Sequence, residues 1–366
     1  MLKKAAALVL VCASMGAWLG CGKTSSRYLF AAIPGGAGGG QIVAYREDPN
    51  AGVLTQLAGS PIAAGAAVES LAIHPSGKYL YAANSGSNNI SQYTISSTGA
   101  LTELTPRALA GTSPTKLAMD AGGSFLYAAN SGTFDISVYS IDSGSGLLTP
   151  VPQTSGATAP IGLSALNMAL TPSGAFLYVT GVGGTGQNPV GFVEEFPVSQ
   201  GVLGQPVAGS PFITGRNPYG LVLDPGGKFL YTANKADNTI SEFTINADGS
   251  LTAFVGSPVG ESYSSPTGLL IDNSGKYLYV ANQGSTNTAA YTIGSDGGLT
   301  ILTNSPFGTA ASPTVLATDS SGKFLFVGNQ TSPVIQSFTL DTSNGTLTSV
   351  ASYSVPENPT SIVITP

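Results

Sequence analysis

The sequence predicts an all-β protein, a seven-bladed β-propeller of four-stranded antiparallel blades, on the basis of three features. An aromatic-Leu-aromatic motif recurs seven times at intervals of 46 to 53 residues. Each repeat accommodates four short strands separated by Gly, Asp and Asn turns, but no ten-residue helix of helical period. The 366 residues include 48 Gly and 24 Pro, which suit many turns, and a hydrophobic share of 42 %, which suffices for a core.

The recurring motif marks the second strand of each repeat. Its copies are Tyr28-Leu29-Phe30, Tyr79-Leu80-Tyr81, Phe125-Leu126-Tyr127, Phe176-Leu177-Tyr178, Phe229-Leu230-Tyr231, Tyr277-Leu278-Tyr279 and Phe324-Leu325-Phe326. In the fifth repeat, strands are predicted at residues 219–223, 228–233, 239–245 and 250–252. Seven such meanders indicate sheets stacked radially around an axis, an arrangement that leaves only short edges.

Two positions of every repeat are predicted to pack one blade against the next. The third strands carry an aromatic residue at Tyr45, Tyr93, Tyr139, Phe196, Phe243, Tyr291 and Phe338. The first strands carry a large apolar residue at Leu71, Leu117, Met168, Leu221, Leu269, Leu316 and Ile362. Neighbouring sheets must bury these faces against each other, so the two sets predict the seams between blades.

The two ends of the repeat region predict how the ring closes. The first repeat begins at its second strand, Arg27–Phe30, and residues 358–364 near the C-terminus match the first strand of the fifth repeat, residues 217–223. The last strand is therefore expected to enter the first blade as its innermost member, which removes an open sheet edge.

The first 20 residues predict a signal peptide. Lys3 and Lys4 precede an apolar stretch that reaches Leu19, and Leu19-Gly20-Cys21 resembles the lipobox of bacterial lipoproteins. This resemblance implies lipidation of Cys21, a short tether over residues 21–26 and a propeller over 27–366, on the outer-membrane or periplasmic face of a bacterial envelope. A plain secretory signal and an uncleaved anchor are the alternatives.

Composition excludes several classes of function. The net charge is −6 and no basic cluster exists, so nucleic acid is not an expected partner. Cys12 lies in the leader, which leaves one His and one mature Cys, so neither a metal site nor any cofactor is predicted. The expected partners are the membrane, through the lipid, and an unidentified protein, glycan or small molecule; the propeller is expected to be a monomer.

The repeat also resembles a known family. Tyr277-Leu278-Tyr279-Val280-Ala281-Asn282 and its copies resemble the YVTN repeat, and the surrounding frame resembles the seven-bladed lactonase superfamily, with its 6-phosphogluconolactonase branch. This resemblance implies the propeller fold. Active members typically carry Arg-His at the start of a first strand and Asn-Glu at the end of a second strand. Here the corresponding pairs are of the types Pro114-Thr115 and Asn282-Gln283, so the usual catalytic pattern is absent.

The candidate site lies where the repeat departs from its own pattern at the channel mouth. First strands begin with Thr in four repeats but with Glu69, Leu166 and Tyr219 in the others. The next position carries Lys116 and Asn167, and Arg216 precedes the fifth first strand. If the first strands line the axis, Glu69, Lys116, Asn167, Arg216 and Tyr219 form a ring that suits a small polar ligand. Glu69 and Arg216 are the catalytic candidates.

Two other polar features are interpreted as structural. The only histidine, His74, falls in register with turn residues such as Asp120 and Asp224, and is expected to shape a hairpin turn. Glu194 and Glu195 are adjacent on a strand, so their side chains point to opposite faces and are expected to be solvated rather than to act as a pair.

Three functions are consistent with these features. The first is a lipid-anchored envelope propeller that binds a partner without chemistry. The second is a lactonase in which Glu69 is the base and Arg216 or Lys116 stabilises the oxyanion. The third is a structural, surface-layer-like module.

Overall fold

The computed structural model describes residues 26–35, 39–154, 158–161, 164–183, 190–260 and 263–366. The predicted signal peptide, residues 1–20, and Cys21 lie outside these ranges. Every regular element in the described ranges is a β-strand. No helix in this part of the chain has the length and apolar character needed to cross a membrane.

The strands follow the predicted periodicity. In chain order they are β1 (Arg27–Ile33), β2 (Gln41–Glu47), β3 (Leu54–Gln56), β4 (Ile62–Ala63), β5 (Val68–Ile73), β6 (Tyr79–Asn84), β7 (Asn89–Ile95), β8 (Leu101–Leu109), β9 (Pro114–Met119), β10 (Phe125–Asn130), β11 (Asp135–Ile141), β12 (Leu148–Pro150), β13 (Thr158–Pro160), β14 (Ser164–Leu170), β15 (Phe176–Gly183), β16 (Val190–Ser199), β17 (Val202–Leu203), β18 (Phe212–Ile213), β19 (Pro218–Leu223), β20 (Phe229–Asn234), β21 (Thr239–Ile245), β22 (Leu251–Ala253), β23 (Val259–Gly260), β24 (Pro266–Ile271), β25 (Tyr277–Asn282), β26 (Asn287–Ile293), β27 (Leu299–Ile301), β28 (Phe307–Gly308), β29 (Pro313–Thr318), β30 (Phe324–Asn329), β31 (Val334–Leu340), β32 (Leu347–Ser354) and β33 (Ser361–Ile364).

These strands form seven antiparallel sheets, which confirms the predicted seven-bladed propeller. The second blade is β5-β6-β7-β8, and blades three to seven begin at β9, β14, β19, β24 and β29 in the same order. The first blade has the order β3-β2-β1-β33. The first strand is innermost in blades two to seven, and β33 is innermost in the first blade, so seven innermost strands surround the axis.

The C-terminal strand closes the ring as predicted. β33 pairs antiparallel with β1, with Leu29 opposite Ile364 and Ala32 opposite Ser361. Ile362 packs into the apolar cluster between the first and seventh blades. The first blade is therefore assembled from both ends of the repeat region.

The seams between blades contain the predicted apolar residues. Among the described residues, seven buried clusters each combine side chains of two neighbouring blades. Every third-strand aromatic and every first-strand apolar residue predicted for packing lies in or against one of them. Packing between sheets thus accounts for both periodic positions.

Hydrogen bonds from buried tyrosines also cross the seams. Tyr279 donates its hydroxyl proton to the carbonyl oxygen of Gly345 in the next blade, at 2.9 Å. Gly345 has φ of +75°, and a Cβ there would lie 2.6 Å from Cδ1 of Tyr277. Glycine is therefore required at this turn both for its backbone conformation and for the ring packed against it.

The outermost strand differs from the single short strand that was predicted. In five blades it is split into two short segments, such as β22 and β23, and both pair with the third strand of the blade. In four of these blades a Ser-Pro pair, such as Ser257-Pro258, immediately precedes the second segment. Proline has no N–H for the ladder, which explains the interruption on an edge strand.

Candidate functional site

A polar cavity of about 360 Å³ lies at the end of the axis where the innermost strands begin. All seven innermost strands contribute to it. Its lining residues are Glu69, Ser70, Leu71, Lys116, Leu117, Asn167, Tyr219, Lys235, Thr267, Gly268, Leu269, Gln283, Thr314, Val315, Leu316, Gln330, Asn358, Pro359, Thr360, Ser361 and Ile362. Four of the five predicted residues, Glu69, Lys116, Asn167 and Tyr219, are brought together here.

A repeated β-bulge places the first-strand entry residues at this mouth. In six blades the pairing register shifts by one at the start of the innermost strand, leaving Glu69, Thr115, Leu166, Tyr219, Thr267 or Thr314 as the extra residue. Bulges re-aim side chains and are common next to functional sites. The position at which three repeats depart from Thr is thus the one that the backbone releases from regular pairing.

Tyr219 is the centre of a cationic cluster. The Nζ atom of Lys116 lies 5.8 Å from the centroid of its ring, and the Nζ atom of Lys235 lies 5.1 Å from it. Both distances are within the range of cation–π attraction. Asn167 donates a hydrogen bond from Nδ2 to the backbone oxygen of Tyr219, at 3.2 Å, which ties the fourth and fifth blades together at the site.

Neither of these lysines forms an ion pair within the described part of the chain. The ion pairs found there join Arg27 to Glu47 and Asp319, Arg107 to Glu103, and Arg216 to Asp237. Burial lowers the pKa of Lys116, and the nearby charge of Glu69 opposes that effect. Burial also lowers the pKa of Lys235. Lys116 is thus compensated in part by Glu69, whereas burial is the one effect that shifts the pKa of Lys235, and an anion could compensate both ammonium groups further.

Glu69 is the carboxylate of the site. Its side chain is half-buried, and burial raises the pKa of its carboxyl, while the charge of Lys116 and a hydrogen bond with the Ser85 side chain act in the opposite direction. Burial, followed by the negative charge of Glu69, raises the pKa of the Tyr219 phenol. The site thus combines one carboxylate, two ammonium groups and a phenol that stays protonated.

The other half of the cavity is uncharged. Gln283 donates from Nε2 to Oε1 of Gln330, and these two side chains follow the second strands of the sixth and seventh blades. Thr267 and Thr314 use their hydroxyl groups on backbone carbonyls of their own blades, Ala281 and Gly328. Amide and hydroxyl groups of this kind can bind the hydroxyl groups of a ligand.

Arg216 is placed away from this cluster. It lies outside the residues that line the cavity, and its side chain is 49 % exposed. Its Nε donates to Oδ1 of Asp237 at 2.5 Å, and its backbone N–H donates to Oδ2 of the same residue at 2.6 Å. The geometry therefore assigns Arg216 to a surface ion pair.

Lys235, Gln283 and Gln330 were not among the predicted site residues. Each directly follows the Asn that ends a second strand, at Asn234, Asn282 and Asn329, whereas the second and third blades have Ser there. Comparing the repeats at this position, as was done for the first-strand entries, would have identified Lys235. In the hairpin of β19 and β20, Asn234 pairs with Pro218, so the second-strand exit and the first-strand entry of this blade meet at the mouth.

His74 lies in the hairpin turn that its register predicts. Its Nε2 is 3.0 Å from the carbonyl oxygen of Gly123 in the next blade, and its Nδ1 accepts the backbone N–H of Ser76 at 3.1 Å. Its ring is buried and packs edge-on against Tyr79, with centroids 5.7 Å apart. The side chain therefore links two blades at the end opposite the cavity.

The interpretation of Glu195 as a solvated strand residue was wrong. Its side chain is fully buried, because β16 turns this face towards the fifth blade. One carboxylate oxygen, Oε2, accepts the backbone N–H of Val207 at 3.2 Å. Burial raises the pKa of Glu195 to about 7. Alternation along the strand was applied correctly, but it does not show that both faces of a blade are covered by neighbours.

Within the described residues, no group of three or more His, Cys, Asp or Glu side chains is arranged to hold a metal ion. The second axial cavity, about 330 Å³, is at the other end of the axis. Met119, Leu170, Leu221, Leu223 and Ile271 give it a mainly apolar lining. The polar chemistry of the axis is thus concentrated at the mouth that contains Tyr219.

The chain belongs to the lactonase family of seven-bladed β-propellers. The family model described as "Lactonase, 7-bladed beta-propeller" matches residues 39–165, 205–308 and 261–364. The fold and the repeat resemblance agree with this assignment. None of the curated protein sequences matches the chain.

Several solved structures share the fold over nearly their whole length. A candidate 6-phosphogluconolactonase from Bacteroides fragilis is 21 % identical, with a TM-score of 0.77 over 94 % of this chain and 99 % of that chain. The periplasmic gluconolactonase of Pseudomonas aeruginosa is 19 % identical, with a TM-score of 0.74 over 93 % and 99 %. A candidate 6-phosphogluconolactonase from Bacteroides uniformis is 18 % identical, with a TM-score of 0.73 over 93 % and 99 %. At these identities the likeness establishes the fold alone.

Proposed function

We propose that the protein binds a small organic anion that also carries hydroxyl groups, such as a sugar acid, in the axial cavity. The observation that carries this proposal is the pair of lysines, Lys116 and Lys235, that approach the Tyr219 ring and form no ion pair among the described residues. An anion between the two ammonium groups replaces the favourable solvation by water that burial removes. The uncharged side of the cavity, with Gln283 and Gln330, suits hydroxyl groups on the same ligand.

The size of the cavity supports a small ligand. Its volume of about 360 Å³ lies at the lower end of ordinary ligand pockets. Glu69 faces the same space and limits the negative charge that the ligand can carry, because a second anionic group of the ligand beside Glu69 is repelled. A ligand with one anionic end and a neutral, hydroxylated remainder fits both halves.

The proposal extends to the cellular setting, as an exported, lipid-anchored protein of a bacterial envelope. Ser26, the first described residue, lines a groove with Gly77, Thr365 and Pro366, which lie at the end of the propeller opposite the cavity. A lipid on Cys21, five residues upstream, would hold that end towards the membrane. The cavity mouth would then face away from the membrane and towards soluble ligands.

Thermal stabilisation tests ligand binding. Ligand that binds only the folded protein raises its melting temperature in proportion to RT ln(1 + [L]/Kd). We expect gluconate to stabilise residues 27–366 more than glucose does at the same concentration, and Lys116→Gln with Lys235→Gln to abolish that difference. Lys228→Gln with Lys276→Gln, on exposed turns, is the matched control and should keep it. Equal responses of wild type and the cavity variant would contradict the proposal.

Lactone hydrolysis is the second candidate function, and the environment of Glu69 favours it. Burial raises the pKa of this carboxyl towards the range useful for general-base catalysis. Lys116 is close enough to affect that pKa and could stabilise an oxyanion. Glu69 would take a proton from water as the oxygen attacks the lactone carbonyl, and would return that proton to the ring oxygen as the C–O bond breaks, which gives the hydroxy acid.

Turnover of a panel of sugar and acyl lactones tests this candidate. Hydrolysis by the wild type that is lost in Glu69→Gln and retained in Arg216→Ala supports it, since Arg216 lies outside the cavity lining. If the wild type turns over lactones no faster than Glu69→Gln does, the protein is not a lactonase and ligand binding remains as the proposed function. Absence of both turnover and ligand stabilisation favours the structural, surface-layer-like module instead.

A further inference from the structure

The first blade departs from the repeat at the end of its third strand. Glu47 ends β2 opposite Leu54. The equivalent residue in each of the other blades also lies opposite a leucine, but it is always aliphatic: Ile95, Ile141, Val198, Ile245, Ile293 and Leu340. A carboxylate thus replaces an aliphatic side chain only in the blade that closes the ring.

Glu47 is buried in this position. It is 1 % exposed, and neither of its carboxylate oxygens has a hydrogen-bond partner. Arg27, its cross-strand neighbour on β1, approaches with Nη1 to 3.8 Å of Oε1. The same Nη1 lies 2.8 Å from Oδ2 of Asp319 in the seventh blade. The guanidinium therefore bridges the seam but forms its short contact with Asp319.

The charges around Glu47 are predominantly negative. Asp319 and Asp48 act against its ionised form, and Arg27 is the cation that opposes them. Tyr45 and Tyr353 are titratable groups deeper in this seam, and their rings pair with centroids 6.1 Å apart. Burial raises the pKa of Tyr45, so the Tyr45 phenol is neutral. Burial is the largest of the effects that raise the pKa of Glu47 to about 7. An ionised Glu47 is thus opposed by burial and by two neighbouring carboxylates.

We propose that Glu47 is a proton-controlled latch on the seam between the first and seventh blades. When it is protonated, the seam closes as an ordinary apolar interface held by the contact between Arg27 and Asp319. When it is ionised, the buried carboxylates of Glu47 and Asp319 share the single guanidinium of Arg27, and the seam opens locally around β33. The first blade, on one side of this seam, is completed by the pairing of β1 with β33 through only four residue pairs. The inference does not depend on the ligand.

The sign of the pH dependence follows from linkage. Glu47 is neutral in both the closed and the open state below its ordinary pKa of 4.5. Between pH 4.5 and about 7 the closed seam holds the proton that the open one releases, so the closed state loses stability as pH rises. Above about 7 the closed seam remains weakened.

Amide hydrogen exchange of residues 27–366 at pH 5.5 and 8, corrected for the intrinsic pH dependence of exchange, tests the latch. We expect β1 and β33 to exchange at least tenfold faster at pH 8, with no such change in β6 and β10 at the seam of blades two and three, where Gln92 takes the position of Glu195. Glu47→Ile, which restores the aliphatic residue of the other blades, should abolish the difference. Glu47→Gln is the second variant, should Ile destabilise the fold.

The control is Glu195→Gln, which removes a buried carboxylate from another seam. It should leave the exchange of β1 and β33 pH-dependent. The proposal is overturned if the wild type shows no local difference. It is also overturned if Glu47→Ile retains the difference, or if Glu195→Gln abolishes it, because the effect would then arise elsewhere in the molecule.

Discussion

At the scale of single residues, the cations near the mouth of the axis differ in their surroundings. Arg216 is close to the cavity in sequence, yet it is bound by Asp237 at the surface. Exposed pairs of this kind contribute little to stability. Lys116 and Lys235 are held instead against an aromatic ring at the mouth of the axis. Charges that a fold positions but does not neutralise indicate a site for an external partner.

Buried carboxylates provide a second test at the residue scale. Glu195→Gln should raise the free energy of unfolding by about 1–3 kcal/mol at pH 8 and leave it unchanged near pH 4.5. The reason is that the pKa of Glu195 in the folded protein is about 7, so its ionisation destabilises the fold as pH rises from about 4.5 to 7. Gln92 fills the equivalent position in the second blade, where Oε1 accepts the N–H of Leu148 at 2.7 Å, so an amide suits this position.

The measurement is thermal unfolding of wild type and variant at pH 4.5, 6 and 8. Glu103→Gln, which alters a part-exposed carboxylate paired with Arg107, is the control and should show little pH-dependent gain. A Glu195→Gln variant that is destabilised equally at every pH would show that its carboxylate is needed as an acceptor and that its burial costs little.

At the scale of elements, tyrosine hydroxyls on the second strands join neighbouring blades. Tyr81, Tyr178, Tyr231 and Tyr279 each donate to a glycine carbonyl of the next blade. Phe30 and Phe326 occupy the same position around the closing blade, so the ring alone fits the seam. The hydroxyl adds a buried hydrogen bond to that packing.

Tyr279→Phe should therefore cost about 1–2 kcal/mol, because the buried carbonyl of Gly345 loses its donor. Tyr277→Phe is the matched control on the same strand, since its bond to the Ser343 carbonyl at 3.0 Å is only partly buried and water can replace it. Denaturant unfolding of both variants gives the comparison. An equal, negligible loss in both would show that packing alone holds these seams.

The elements were largely predictable from the sequence, and the site was predictable in part. A position that is apolar or aromatic in all seven repeats is expected to be buried, which is why Tyr45 and Leu71 could be assigned to the seams. The burial of Glu195 and Glu47 could not be recognised, because a charged residue that replaces the uncharged residue of other repeats suggests a solvated position. Lys235 was missed because the prediction considered the starts of the first strands alone, although Lys235 lies beside Tyr219 at the open end of the β19–β20 hairpin.

At the scale of the whole molecule, β33 completes the ring. Removing residues 359–366 takes away the innermost strand of the first blade, exposes the backbone groups of β1, and removes Ile362 from its cluster. The melting temperature should fall sharply. Ile362→Ala, which keeps the strand, should lose about 2–5 kcal/mol, a smaller effect. A truncated protein with an unchanged melting temperature would contradict closure by this strand.

The central claim, an anion site at the mouth of the axis, is tested most directly by calorimetric titration of gluconate and glucose into residues 27–366. We predict that gluconate binds at least tenfold more tightly than glucose at low salt, and that Lys116→Gln with Lys235→Gln removes this preference while Lys228→Gln with Lys276→Gln retains it. The preference should also weaken at high pH, because burial lowers the pKa of both cavity lysines. Equal affinity for the two ligands, or a preference that survives in the cavity variant, would contradict the account.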